Sequence, residues 1–207
     1  MEIRRVKKHD VDMTSGSVFR HLLNFAVPLL MGNIFQQLYN TVDTWVVGNY
    51  VSNEAFSAVG TVAPIINTLI GAFSGLASGA GVVISQYYGA GKYDRVRDAV
   101  HTAVMMTLVL SVAFTAIGIA MTPNMLRLMK TPAEVFPESR AYLNIYFSGM
   151  AGLMLYNMGA GILRAVGDSK RPFYYLVCAA VINTVLDLVF VIAFDMGVEG
   201  VAYATII

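Results

Sequence analysis

Two carboxylates, Asp43 and Asp187, lie inside apolar stretches that carry no other charge and are long enough to cross a bilayer. An ionised group near the bilayer centre costs about 2.5 to 3.5 kcal/mol on insertion scales, so such residues usually face a polar cavity or carry protons or ions. Asn183 precedes Asp187 by one helical turn, which stacks an amide and a carboxylate on one helix face. Thr205, in a further apolar run, adds a hydroxyl oxygen. With Asp43 these form an all-oxygen set of the kind that hard cations such as Na⁺ prefer. Two carboxylates brought together in a dry setting repel, so the pair could take up a proton instead, and the same residues read as an H⁺ or a Na⁺ site. The competing reading is structural. An intramembrane Asp can simply hydrogen-bond a neighbouring helix, Asp43 could lie near the interface, and Asn183 or Thr205 alone would serve as interhelical hydrogen-bonding groups.

The elements that must position these groups are membrane helices. Apolar residues make up 57% of the chain and charged residues 13%, and the mean hydropathy is +0.62. These values indicate a polytopic, all-α membrane bundle in contact with the lipid bilayer and exclude a nucleic-acid partner. At about 20 apolar residues per span, the chain divides into five segments and the start of a sixth. They run from about 22 to 47, 55 to 87, 99 to 122, 142 to 163 and 173 to 194, with an incomplete run at 198 to 207. Residues 1–21 form a charged tail, too polar for a signal peptide, and the first span is expected to be retained. With the N-terminus in the cytoplasm, eleven Lys and Arg residues fall inside (Arg4, Arg5, Lys7, Lys8, Arg20, Lys92, Arg95, Arg97, Arg164, Lys170 and Arg171). Only three, Arg127, Lys130 and Arg140, fall outside, which sets the expected orientation. The sixth run stops at Ile207 with about half a span written, so a piece of a longer product is expected.

Within the spans, Gly71, Gly75 and Gly79 recur every turn and are expected to clear a helix face for close approach of a neighbour. Pro28 and Pro64 each remove a backbone donor and are expected to bend or open their helices locally. Asn33, Gln36, Gln37, Asn40, Thr41 and Asp43 cluster toward one end of the first span, where several must line water or protein. The single Cys178 and the scattered His9, His21 and His101 offer no disulfide framework and no metal-ligand spacing, so no metal is expected beyond Na⁺ at the cation site.

In order along the chain stand Pro28-Leu29-Leu30, then Gln36-Gln37-Leu38-Tyr39-Asn40-Thr41-Val42-Asp43-Thr44 with Gly48, Ala58-Val59-Gly60, and Ser85-Gln86-Tyr87-Tyr88-Gly89-Ala90-Gly91. In the second half come Leu163-Arg164-Ala165-Val166-Gly167-Asp168-Ser169-Lys170 with Pro172, Asn183-Thr184-Val185-Leu186-Asp187, and Gly197-Val198-Glu199-Gly200-Val201-Ala202-Tyr203-Ala204-Thr205. In this order the motifs resemble those of the multidrug and toxic compound extrusion (MATE) antiporters, a family grouped with lipid-linked oligosaccharide flippases. The resemblance implies one six-helix lobe of a twelve-helix transporter, the N-terminal one, with its sixth helix truncated. It implies that Asp43, Asn183, Asp187 and Thr205 are cation-site residues, with Asn157 as a polar neighbour. It further implies a partner lobe, either the missing C-terminal one or a second chain.

The expected function is secondary antiport: export of organic, often cationic compounds across the cell membrane in exchange for H⁺ or Na⁺, with no cofactor. Two alternatives stand beside it. A flippase of the same superfamily would line its cavity with basic residues, and a non-transporting module would use the two Asp residues only to hold helices together. No nucleotide-binding loop, catalytic triad or metal-ligand motif supports an enzyme.

Overall fold

In lipid, long apolar runs can satisfy their backbone hydrogen bonds internally only as helix or closed barrel. A computed structural model describes residues 17–207 and resolves the choice as helix throughout its regular elements. These are α1 (Val18–Tyr50), α2 (Asn53–Gly89), α3 (Tyr93–Leu128), α4 (Phe136–Ser148), α5 (Met150–Ala165), α6 (Lys170–Leu188), a π-helical turn (Val189–Ala193) and α7 (Gly197–Ile206). Arg4, Arg5, Lys7, Lys8 and His9 of the tail lie outside the described residues.

Among the described residues, three helices are long and apolar enough to cross a membrane: Asn53–Gly89, Tyr93–Leu128 and Lys170–Ala193. The remaining segments depart from that pattern for physical reasons. α1 has 33 residues, but its polar cluster dilutes its apolar content. The segment expected over 142–163 is two helices, α4 and α5, interrupted at Gly149. At that break the Phe147 carbonyl accepts a hydrogen bond from Thr115 Oγ1 of α3 at 2.9 Å. Gly118, one turn further along α3, leaves room for the Phe147 ring, and Gly149 leaves room for Ile206 of α7.

The turns are made by residues suited to left-handed backbone. Gly91 at φ +69° and Gly167 at φ +89° close α2 and α5. In each case the amide beyond the glycine reaches back to the last helical turn, Lys92 to the Tyr87 carbonyl at 3.0 Å and Asp168 to the Leu163 carbonyl at 2.9 Å. Asp168 then caps α6, its Oδ1 accepting from the Lys170 and Arg171 amides at 3.1 Å each.

α2 packs most extensively along α5, and α1 along α6. A continuous apolar core containing Val46, Val62, Phe73, Leu126, Phe147 and Val201 ties the ends of these pairs to α3, α4 and α7. The glycine spacing in α2 does not serve this packing. A Cβ at Gly71, Gly75 or Gly79 would meet nothing of the described residues within 4 Å. The close approach comes one face over, where Gly161 of α5 meets Ala77 and Gly81: a Cβ at Gly161 would stand 2.9 Å from the Ala77 carbonyl oxygen. Pro28 and Pro64 lie within helices that continue through them.

Gly161→Val is therefore expected to overpack the α2–α5 contact against backbone and cost about 1–3 kcal/mol. Gly75→Ala fills open space and is expected to be neutral or stabilising. Thermal midpoints of the detergent-solubilised protein check both. Equal midpoints for the two variants would place the contact elsewhere.

Candidate functional site

The packing of α1 along α6 brings the two intramembrane carboxylates together. Asp43 is 6% exposed and Asp187 0%, and their carboxyl groups lie side by side between the helices. Asn183, one turn before Asp187 on the same face, is 8% exposed. One Asp43 oxygen, both Asp187 oxygens and both polar atoms of the Asn183 amide are buried without a hydrogen-bond partner. This is an unusual concentration of unsatisfied groups, because buried polar atoms are nearly always paired. Two carboxylates cannot satisfy each other, since ionised oxygens only accept. At about 4 Å and an effective dielectric of about 20, two unit like charges repel by about 4 kcal/mol. A proton or a monovalent cation between them removes that repulsion and supplies the missing partner. The donor set fits such an ion: it is all oxygen, and among the described residues no group of three or more His, Cys, Asp or Glu side chains is assembled for another metal.

Thr205 of α7 is linked to the pair through Tyr142. Its hydroxyl donates to the Val201 carbonyl at 2.8 Å, which leaves its lone pairs available. The Tyr142 hydroxyl, from α4, lies beside Thr205 and within electrostatic reach of both carboxylates. Asn157 of α5, half-buried, donates from its Nδ2 to the Leu153 carbonyl at 2.9 Å.

Sequence reasoning missed Tyr142 and Tyr39 as neighbours of the pair. Tyr39 precedes Asp43 by one turn on the same face and lies close enough to feel its charge, a relation that the spacing could have shown. Tyr142 offered no such signal. A tyrosine in an apolar segment reads the same in a belt, a core or a site, and only the fold turns this one, 5% exposed, inward.

The polar cluster of α1 also resolves into two faces. Tyr39 and Asp43 are turned into the bundle, while Gln37, Asn40, Thr41 and Asn49 are exposed and, with Thr44, spread over a broad flank that begins about 60° round the helix from Asp43 at about 100° per residue. That outer stripe, with Trp45, lines an open groove of about 520 Å³ against Phe56 of α2.

The MatE family model matches residues 28–189. The probable multidrug resistance protein YpnP of Bacillus subtilis (strain 168) is 34% identical over 95% of the chain and 44% of its own length. YoeA of the same organism, also described as a probable multidrug resistance protein, is 37% identical over 92% of the chain and 42% of its own length. A crystal structure of MATE in complex with MaD3S superposes with a TM-score of 0.88 at 27% identity, covering 96% of the chain and 44% of that structure. The chain thus spans less than half the length of the curated relatives it matches.

Two ionised carboxylates repel, so the pair holds α1 to α6 only through a proton or a cation between them. Asp43→Asn and Asp187→Asn, each nearly isosteric, are expected to leave the thermal midpoint in low-salt detergent buffer unchanged or raised. A fall equivalent to the 3–5 kcal/mol typical of a broken buried ion pair would instead make the Asp residues structural.

Proposed function

The chain belongs to the MatE family as an N-terminal lobe, and from that premise we propose that it is the cation-coupled half of a secondary antiporter exporting organic, often cationic compounds in exchange for H⁺ or Na⁺. The observation that carries this reading is the pair of buried, partnerless carboxylates on α1 and α6. Without an ion, Asp43 and Asp187 push the two helices apart. With one, they draw together, and the ion selects the packing in which α1, α6 and α7 close around it. α1 carries its carboxylate inward and its polar stripe outward, so a shift of this helix alters the face offered to a substrate cleft. Asn183 and Thr205 supply further oxygens to the ion, and Asn157 stands outside its immediate ligands. The energy source is an ion gradient.

The second wall of the cleft comes from a further lobe, either the C-terminal half of the same protein or another chain. Charge supports an N-terminus in the cytoplasm. Among the described residues, Arg20, Lys92, Arg95, Arg97, Arg164, Lys170 and Arg171 gather at the end that holds the α2–α3 and α5–α6 turns. Only Arg127, Lys130 and Arg140 lie at the other end. The names of the Bacillus relatives support drug-like cargo. A flippase for phosphate-bearing lipid would require basic groups within the membrane, where this chain carries acidic ones.

In vesicles containing the natural protein, gradient-driven efflux of a fluorescent organic cation is expected to fall to the level of protein-free vesicles in Asp43→Asn and in Asp187→Asn, with membrane insertion intact. Collapsing the Na⁺ and proton gradients separately identifies the coupling ion. Undiminished efflux in both variants would overturn the assignment.

A further inference from the structure

The turns at the end of the bundle that gathers the basic residues do not lie at one depth. Gly32 of α1 faces Leu176 of α6, where a Cβ would stand 3.5 Å from Leu176 Cδ2, and Gly32 is as far from Asp43 along the chain as Leu176 is from Asp187. The two helices therefore run parallel in one register, in which Lys170 at the start of α6 stands level with Ala26. α1 begins at Val18, so it extends about 12 Å further at about 1.5 Å per residue. On the other side Gly161 meets Ala77 and Gly81 meets Ala165, which puts the end of α5 level with Gly81. α2 continues to Gly89 and so overhangs by about the same 12 Å. The α5–α6 turn is recessed between the start of α1 and the α2–α3 hairpin.

The recessed turn is basic, and its charge is only partly cancelled. Arg164, half-buried in the last turn of α5, lies within electrostatic reach of the Tyr156 hydroxyl, which donates to the Pro172 carbonyl of α6 at 3.3 Å. Lys170 is exposed at the start of α6. Arg171 is paired with Asp168 at 3.1 Å, but among the described residues no carboxylate pairs with Arg164 or Lys170. Depth decides what these two cations meet. Lys170–Ala193 is an apolar run of 24 residues, about 36 Å long, against a hydrocarbon core of about 30 Å. Its first residues therefore lie at headgroup level. Tyr174 and Tyr175, 60% and 58% exposed, stand one turn further in, where aromatic side chains mark the membrane interface. From there Cys178, Val181, Ile182 and Val185 continue an exposed apolar face along α6.

We infer that the α5–α6 turn holds the headgroup of an anionic phospholipid, with the phosphate on Arg164 and Lys170 and an acyl chain along the exposed face of α6. A guanidinium fork and an ammonium both suit phosphate oxygens. A soluble phosphate ester offers the same oxygens but no chain, and gains nothing from the apolar face. The hairpin tip is placed differently. Lys92 and Arg95 are also exposed, but they stand about 9 to 12 Å further out, beyond the Debye length of about 8 Å at physiological ionic strength. They contribute little to a phosphate at the turn. The site requires that α6 crosses the membrane and does not depend on the antiporter reading.

The natural protein in neutral detergent at physiological ionic strength is titrated with phosphatidylglycerol or phosphatidylcholine in mixed micelles, and its thermal midpoint is followed. A saturable rise is expected with phosphatidylglycerol and not with phosphatidylcholine. Arg164→Gln/Lys170→Gln is expected to raise the half-saturating phosphatidylglycerol at least about tenfold, since each basic side chain at a membrane surface is worth about fivefold in affinity for anionic lipid. Lys170→Gln alone, at an exposed position, is expected to raise it about fivefold, and it decides the matter if the double variant does not fold. The equal loss of charge in Lys92→Gln/Arg95→Gln is expected to change it by about twofold or less. Glycerol phosphate is expected to leave the midpoint unmoved at the concentration where phosphatidylglycerol saturates. A rise no greater with phosphatidylglycerol than with phosphatidylcholine, undiminished affinity in the variants of the α5–α6 turn, an equal loss in the hairpin variant, or saturation by glycerol phosphate at the same concentration would overturn the inference.

Discussion

Two carboxyl groups meet across α1 and α6, close enough that a proton shared between them joins them by a hydrogen bond and that two ionised carboxylates would repel. A buried carboxylate normally recruits backbone amides, a basic side chain or water. Here the neighbours are an amide without partners of its own, a threonine whose proton is directed elsewhere, and a tyrosine. Every one of them has oxygen to offer. A proton or a small cation is the partner that this set of oxygens can take.

α1 carries both a buried carboxyl group and an exposed polar stripe. Asp43 is buried, whereas the Gln37–Asn49 stripe lies on the more exposed flank of the same helix, beginning about 60° round from it at about 100° per residue. Val46 and Val47, both fully buried, lock the C-terminal part of this helix into the core that α2, α4 and α7 share, so movement there is transmitted to its neighbours.

How much of this could be read from the residues depended on how loudly each one violates its surroundings. A carboxylate in an apolar span is conspicuous, and Asn183 becomes so by its spacing from Asp187. Tyr142 violates nothing and was invisible until α4 was placed. The glycines of α2 show the limit of spacing arguments. The period of Gly71, Gly75 and Gly79 is that of a packing face, yet α5 approaches through Gly161 against Ala77 and Gly81, because a close contact needs a small residue on both helices and the sequence of one shows only half of it. The break at Gly149 was likewise silent, since glycine is common in unbroken membrane helices. What turns it into a break is its setting, with Thr115 holding the Phe147 carbonyl and Ile206 occupying the space that a side chain would need.

Irregular backbone collects on the side of the bundle that holds the oxygens. The π turn begins shortly after Asp187, with the Phe194 amide bonded to the Val189 carbonyl at 3.1 Å, and Asp195 follows at φ +53°. α7 packs onto this turn through Gly200, where a Cβ would stand 3.0 Å from Phe190 Cβ, and onto the α4–α5 break through Ile206. Thr205 is thus delivered by the one helix that touches both interruptions. Wide turns and broken helices open more readily than continuous ones, and π turns recur at functional sites. The long helices α2 and α3 are continuous by comparison, and α5 is anchored to α2 by a contact too close for a side chain. The interruptions thus fall between α4 and α5 and after α6, where α7 packs on both, while α2 and α3 run unbroken.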